Sequence, residues 1–203
     1  NENFESFTTD SNVLSALLKC INTACIMNEM NRQFFVDNGL CENLMKFFAK
    51  HRANDLVIND TCQLIRSLLL DDDLRVEFGK AHEHAKYIAS KLNGLDVLLE
   101  IGLGNDNLSE ETLGNIMLTL SKLAVRNEYC QEICDKGGLS FVMKCIEEQH
   151  LKNVNLLKSA LSLLKSICNN DQVKYEATKS NAIELLKIIL QKYNANPVVR
   201  YIF

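Results

Sequence analysis

The stretch of sequence that decides the fold runs from residue 113 to residue 146 and reads LGNIMLTLSKLAVRNEYCQEICDKGGLSFVMKCI. Apolar residues recur every three or four positions in its first third, which is typical of one face of a helix. The pattern then predicts a short helix over Tyr129–Lys136, a break at Gly137 and Gly138, and a further helix from Leu139. The stretch therefore predicts a unit of three helices.

The same order of long helix, short helix, break and further helix recurs along the chain. Long helices are predicted over residues 11–27, 57–70 and 155–168, and a short helix over residues 31–37. The break residues have gaps of 55, 43 and 44 residues and are Gly39, Gly94, Gly137 and Asn181. Asparagine can replace glycine at a break because it too tolerates the left-handed conformation. Each unit can bury its apolar faces only against its neighbours, so this period predicts an all-α solenoid of four to five repeats, one domain over residues 1–203.

Composition narrows the classes of function. The chain has 203 residues, is 47% hydrophobic and carries a net charge of −4, which disfavours nucleic acid as a partner. No run of about 18 apolar residues occurs, so no membrane span is expected. Eight cysteines include no CxxC pair, and most lie on apolar stripes, which indicates buried thiols in a reducing compartment, the cytoplasm or the nucleus. Cys130 and Cys134 are four residues apart but have no matching His or Cys pair, so no metal is expected there.

The two ends of the sequence suggest the interior of a longer protein. The first ten residues, NENFESFTTD, contain neither an initiator methionine nor a signal peptide. The last residues start a fresh apolar run after Pro197, where a fifth unit is expected to begin. Exposed apolar ends of such an array would favour end-to-end self-association.

Short motifs at the breaks carry a family resemblance. Asn31-Arg32-Gln33, Gly39-Leu40 and Gly137-Gly138-Leu139 are similar to the openings of armadillo repeats, and the chain resembles that family throughout. Residues 71–86 and 120–132 also resemble one branch of the family, and a repeat consensus does not generate the first of these segments. The resemblance implies a right-handed superhelical solenoid with a concave groove that binds a protein partner, without enzymatic activity or a cofactor.

The resemblance also indicates which residues would face the groove. In importins and catenins, a ladder of asparagines and a set of tryptophans hold an extended peptide. Here the ladder positions are Thr23, Ser67, Lys122 and Ser166, the tryptophan positions are Lys19, Gln63, Leu118 and Ser162, and the chain contains no tryptophan. Importin-like peptide or cargo binding is therefore kept only as an alternative.

A polar groove is expected instead of the peptide clamp. Its lining is predicted to be Lys19, Gln63, Ser67, Lys122, Arg126, Ser162 and Ser166. Lys122 and Arg126 are four residues apart and could clamp an acidic partner, although the alternative is that they are solvated charges on an exposed face.

Residues 71–92, DDDLRVEFGKAHEHAKYIASKL, form an insertion in the second repeat. Asp71, Asp72 and Asp73 are predicted to cap the next helix. One alternative is a metal-dependent site built from Asp71, Asp73, His82 and His84, although their spacing matches no standard motif. Another is a protrusion that presents aromatic side chains to a partner: Phe78, His82, His84 and Tyr87. The sequence contains neither a phosphate-binding glycine loop nor a G-x-S-x-G elbow, so a protein-binding scaffold is expected rather than an enzyme.

Overall fold

A computed structural model describes residues 9–104, 107–149 and 153–193. This part of the chain contains twelve α-helices and no strand, which confirms the prediction of an all-α chain. The helices are α1 Ser11–Cys25, α2 Glu29–Asp37, α3 Leu40–Lys50, α4 Asp55–Leu68, α5 Ala81–Lys86, α6 Gly94–Gly104, α7 Glu110–Leu123, α8 Asn127–Asp135, α9 Gly138–Gln149, α10 Val154–Ile167, α11 Asp171–Lys179 and α12 Ala182–Tyr193. A π-helical turn, Tyr87–Lys91, continues α5. The handedness and the number of repeats stay predictions, and the fifth unit expected at Pro197 lies outside the described residues.

The chain divides into two compact units, residues 1–112 and residues 113–203. In the first unit the long helices α1 and α4 pack against each other, and α3 packs on α4 and α6. Leu14 and Leu18 of α1 and Ile58 and Ile65 of α4 are almost completely buried. Their spacing along each helix is the apolar stripe seen in the sequence, and its removal from water is the main force that holds the unit together.

The second unit repeats this arrangement with its own helices. α9 packs against α10, and α8 packs against both of them, while α11 contacts α8 and α12. Val142 and Ile146 of α9 and Leu157 and Ile167 of α10 are buried. Residues 113–146 thus contribute buried side chains, such as Val142 and Ile146, to this core.

Hydrogen bonds between residues about one repeat apart tie neighbouring helices together inside each unit. In the first unit, Ser15 Oγ donates to Asp60 Oδ2 at 2.5 Å, across 45 residues of sequence. In the second unit, the Asn170 side-chain amide donates to the Asn127 carbonyl at 3.0 Å, across 43 residues. The same separations recur in further bonds described below, so the sequence period corresponds to stacking of one repeat on the next within each unit.

The helix breaks use left-handed residues. Gly39, Asn93, Gly137 and Asn181 have φ angles of 80°, 52°, 88° and 63°. In the second repeat the left-handed residue is therefore Asn93 rather than the expected Gly94. Glycine is required at position 94 for lack of space, because a Cβ atom there would lie 2.7 Å from the Ile88 carbonyl oxygen.

Several helices begin earlier than the apolar pattern predicts. α2 begins at Glu29 because the Asn28 side chain accepts a hydrogen bond from the Asn31 backbone N–H. α4 begins at Asp55 because Asn54 caps it in the same way through the Val57 N–H. These caps satisfy backbone donors that the first turn of a helix leaves unpaired.

Candidate partner-binding surface

The groove residues predicted in the first unit divide into exposed and buried groups. Lys19 and Gln63 are exposed, and the Lys19 ammonium lies 3.5 Å from the Asp60 carboxylate. Ser67 is buried, and its hydroxyl donates to Asn22 Oδ1 at 2.5 Å. At this ladder position the side chain therefore joins neighbouring repeats instead of facing solvent, which corrects the expectation that Ser67 lines an open groove.

The second unit shows the same use of the ladder position. Ser166 Oγ lies 2.8 Å from Ser121 Oγ, and Ser162 Oγ lies 3.4 Å from it. Both predicted groove serines are half-buried. A position that binds peptide backbone in importins is thus occupied in this chain by bonds between its own helices.

Lys122 and Arg126 do not share a helix face. α7 ends at Leu123, and Arg126 precedes α8 with extended backbone angles, φ −138° and ψ 151°. The Arg126 guanidinium forms an ion pair with Glu128 at 3.0 Å and lies 6.0 Å from the centre of the Tyr129 ring. Lys122 is exposed. The expected clamp on one helical face is corrected, because the chain turns between the two residues.

The insertion consists of two parts with different structures. Residues 71–80, which we call the strap, contain no helix, whereas α5 and the following π-helical turn replace the short helix of the other repeats. Ala85, Ile88 and Ala89 are buried there. The additional length of this repeat is therefore confined to the strap, and the second part belongs to the core.

The strap folds back on the turn between α1 and α2. Asp73 Oδ2 accepts from the Glu29 N–H at 2.8 Å, and Asp72 Oδ2 accepts from the Met27 N–H at 3.1 Å. Two of the three aspartates thus bind the start of α2, a helix 44 residues earlier, and not the helix that follows them. This corrects the prediction of a cap on the next helix, although the attraction between a carboxylate and a helix N-terminus is the one expected.

A buried ion network fixes this arrangement. Arg32 is completely buried and donates to Glu29 Oε2 at 2.8 Å, to Asp72 Oδ1 at 2.6 Å and to the Cys25 carbonyl at 2.9 Å. Burial alone would raise the pKa of Glu29, but hydrogen bonds from Gln33, from a backbone N–H and from Arg32 hold that pKa below its usual value. Burial would also raise the pKa of Asp72, but the hydrogen bonds from Arg32 and from the Met27 N–H, together with the positive charge of Arg32, lower it.

A second ion pair lies at the surface end of the strap. Arg75 donates to Asp73 Oδ1 at 2.7 Å and to the Met27 carbonyl at 2.8 Å. The hydrogen bond from Arg75 is the main reason that the pKa of Asp73 lies far below its usual value. Met27 has a φ angle of 53°, a left-handed conformation that is uncommon for a methionine. The strap binds both backbone polar groups of this residue and so supports the turn.

The four aromatic residues predicted to contact a partner occupy different environments. Phe78 and His82 are exposed. His84 is buried, and its Nδ1 lies 3.0 Å from the Leu68 carbonyl oxygen. Tyr87 is half-buried, and its hydroxyl donates to Glu42 Oε1. His84 is thus an interior residue, which corrects its assignment to a surface, because α5 turns one face into the core.

The alternative metal site does not assemble in the described part of the chain. His82 and His84 lie on different sides of α5, one exposed and one buried, and both Asp73 oxygens accept hydrogen bonds from protein groups. Among the described residues, no group of three or more His, Cys, Asp or Glu side chains is arranged to share a metal ion.

Exposed apolar side chains surround the strap. Lys80 N donates to Glu29 Oε1 at 2.8 Å, so residues 78–80 lie beside the first turn of α2. Five large apolar side chains on the strap, on the turn that it binds and on α2 are exposed, and we call them the strap surface: Met27, Met30, Phe34, Leu74 and Phe78, which are 58%, 70%, 62%, 95% and 79% exposed. Of these five residues, the sequence pattern indicates only Phe78, because the contribution of α2 depends on where the strap lies.

A polar pocket of about 420 Å³ borders the same helices. Its lining includes the end of α2, the start of α3 and one side of α5, with Asp37, Glu42, Lys80 and Glu83 among the charged residues. Glu42 Oε2 is buried and accepts no hydrogen bond within the described part of the protein. Hydrogen-bonding capacity therefore remains inside this pocket.

Three-helix units that stack with a period of about 44 residues define an armadillo-type helical repeat. The chain is similar in sequence to proteins of the armadillo-repeat family. It is 34% identical over 192 residues to armadillo repeat-containing protein 6 of Homo sapiens and to that of Pongo abelii, matches that cover 90% of this chain and 38% of each relative. It is also 34% identical over 179 residues to the Drosophila melanogaster homologue, covering 88% of this chain and 37% of the relative.

Three further findings accompany these matches. The chain spans less than two fifths of the length of these relatives. No protein-family model matches the sequence. Within the described residues, no helix has the length and apolar character needed to cross a membrane.

Proposed function

We propose that this chain is a non-enzymatic scaffold that binds a partner protein, and that the strap surface makes the principal contact. Armadillo-repeat relatives support the general class of protein-binding scaffold. The observation that carries the more specific proposal is the group of large apolar side chains that the strap and α2 hold in water. Exposed apolar groups of this kind mark protein interaction sites.

The energetics favour a contact at this surface. Burying a Phe, Leu or Met side chain contributes about 1.5–3 kcal/mol, so two or three of these residues could dominate the binding free energy. The ion pair of Asp72 with Arg32 and the hydrogen bond from the Glu29 N–H to Asp73 already hold the strap against α2, so little ordering of the backbone is needed on binding. His82, which is exposed on the adjoining helix, would extend the contact.

Exposed groove positions are proposed as secondary contacts within each unit taken by itself, Lys19 and Gln63 in the first and Lys122 in the second. The lysines would attract acidic groups of a partner. Arg126, Ser162 and Ser166 would contribute less, because each already has a partner within the protein. Importin-like peptide binding has less support, because the ladder serines bond across repeats.

Affinity capture with matched variants tests the location of binding. Met30→Ser/Phe34→Ser removes two exposed side chains of the strap surface, and Lys19→Glu/Lys122→Glu reverses two exposed groove charges. We expect a partner captured by the unsubstituted protein to be lost with the first variant and retained, at a reduced level, with the second. Loss with the groove variant alone would overturn the proposal. Circular dichroism of each variant controls for folding.

We also propose that the protein acts in the cytoplasm or the nucleus. A separate proposal is that this chain self-associates end to end. None of the eight cysteines, all of which lie in the described residues, forms a disulfide, as suits a reducing compartment. In the second unit a pocket of about 530 Å³ opens between α10, α11 and α12 with an apolar lining that includes Leu161, Leu164 and Ile183. A concentration-dependent mass in light scattering, abolished by Ile183→Lys, would support self-association, and a constant monomer mass would contradict it.

A further inference from the structure

The pocket beside α2 has an excess of acceptors. Asp37, Glu42 and Glu83 contribute three carboxylates to its lining, and Lys80 contributes one ammonium. Asp37 and Glu83 are exposed. Glu42 accepts the Tyr87 hydroxyl with one oxygen, whereas its other oxygen is buried without a donor. A buried carboxylate oxygen without a hydrogen bond is unfavourable, so a donor that enters the pocket would be stabilised there.

The charge of the lining selects the kind of donor. A neutral donor would satisfy the oxygen of Glu42 but not the two additional carboxylates. An ammonium or guanidinium group supplies both hydrogen bonds and positive charge, and bonds between ionised groups are about twice as strong as neutral ones. The pocket volume of about 420 Å³ is enough for the end of a lysine or arginine side chain.

The pocket and the strap surface share α2. Val36 and Asp37, at the end of α2, line the pocket, and Phe34 and Met30 lie about one and two turns before Asp37 on the same helix. At a rise of 1.5 Å per residue, Met30 and Asp37 are roughly 10 Å apart along the helix axis. This is about two turns of a partner helix, which would bring residues i, i+3 or i+4, and i+7 to the same side.

We propose that the pocket receives a lysine or arginine side chain from a partner segment whose apolar residues pack on the strap surface. This inference rests on the proposed function, because it assigns a chemistry to the partner at that site. The partner segment is an amphipathic helix with two or three large apolar residues and a basic residue about two turns away. The site differs from the ladder positions of the groove, since it is built by α2, α3 and α5.

Synthetic peptides test this chemistry directly. Two fluorescein-labelled, 18-residue amphipathic helices with the same leucine face, one with lysines and one with glutamates on the other face, serve as probes in fluorescence anisotropy. We expect the lysine peptide to bind at least ~10-fold more tightly than the glutamate peptide, and added salt to reduce the difference. Equal affinities would overturn the inference, as would free arginine amide binding as tightly as the lysine peptide.

Substitutions locate the binding of the basic peptide. Asp37→Asn/Glu83→Gln removes two exposed pocket charges, and Glu111→Gln/Glu148→Gln makes the same change in charge at exposed residues outside the pocket lining. We expect the first variant to weaken binding about tenfold and the second to change it less than twofold. Equal effects of the two variants would refute the assignment to this pocket.

The outcomes also distinguish this inference from the function on which it rests. If Met30→Ser/Phe34→Ser abolishes capture of a protein partner while the peptides show no preference for positive charge, the scaffold proposal stands and the chemistry proposed here is wrong. If that variant leaves capture unchanged, both proposals are wrong.

Discussion

Substitution of Arg32 by methionine should destabilise the first unit more than any change to the exposed ion pair of the strap. Arg32 is 0% exposed and joins Glu29, which is 1% exposed, to Asp72, which is 29% exposed. Methionine retains much of the side-chain volume but leaves the Glu29 carboxylate buried without its cation. Removing one member of a buried pair costs about 3–5 kcal/mol, and the partial hydration of Asp72 favours the lower end of that range.

The matched control is Arg75→Met. Arg75 also donates to a strap aspartate, Asp73, whose side chain is 3% exposed, but the Arg75 side chain itself is 68% exposed, so water screens this ion pair. Without Arg75, Asp73 would still accept the hydrogen bond from the Glu29 N–H. Urea unfolding followed by circular dichroism compares the two variants with the unsubstituted protein. We expect a loss of about 3 kcal/mol for Arg32→Met and less than about 1 kcal/mol for Arg75→Met. Similar losses in the two variants would refute the reasoning that burial makes the Arg32 network a determinant of stability.

Low pH should reduce the difference in the free energy of unfolding between the unsubstituted protein and Arg32→Met. The pKa values of Glu29 and Asp72 are lower in the folded protein than the ordinary values, so their contribution to stability is complete above the unfolded pKa of about 4. The contribution is lost as the pH falls through the lower folded values, because the folded carboxylates then bind protons too. The stability gap between the unsubstituted protein and Arg32→Met should therefore narrow below about pH 4. A gap that is constant from pH 7 to pH 3 would contradict this linkage.

Three other changes have definite expected outcomes. Ser67→Ala should lower the free energy of unfolding by about 1 kcal/mol in urea titration, because it removes a buried hydrogen bond between repeats, and an unchanged midpoint would argue against that bond. Cys20 is exposed and should react first with a thiol reagent. Cys134 should react only on unfolding, because burial and a nearby carboxylate raise its pKa to about 12. Equal reaction rates of the two thiols would contradict the buried environment of Cys134. Gly138→Ala should destabilise by about 2 kcal/mol or more in thermal unfolding, since the new Cβ would lie 2.5 Å from Ile133 Cγ2, and a neutral result would contradict that close approach.

Local patterns were sufficient to predict the order of helices. Apolar residues three and four positions apart identified the long helices, and glycine or asparagine marked the breaks. These signals are readable because each depends on residues within one or two helical turns. The family resemblance was confirmed by relatives that match about nine tenths of the chain.

The position of the strap could not be predicted in the same way. The contact between Arg32 and Asp72 joins residues 40 positions apart, and no local pattern specifies which helix end the aspartates will bind. Burial of His84 likewise follows from the face that α5 turns to its neighbours. The strap surface was therefore predicted only in part. In the sequence, Met30 and Phe34 have the pattern of an ordinary short helix, and nothing there indicates that the strap binds this helix.

Site-specific photocrosslinking tests the central claim most directly. A photoreactive amino acid is placed at Phe34 in the strap surface, at Gln63 in the groove, and at Lys158, which is exposed on α10. We expect a crosslinked protein partner from position 34, reduced by an excess of the lysine-containing peptide, and little crosslinking from position 158. Crosslinking from position 63 alone, or equal yields from all three positions, would contradict the claim that the strap surface binds the partner.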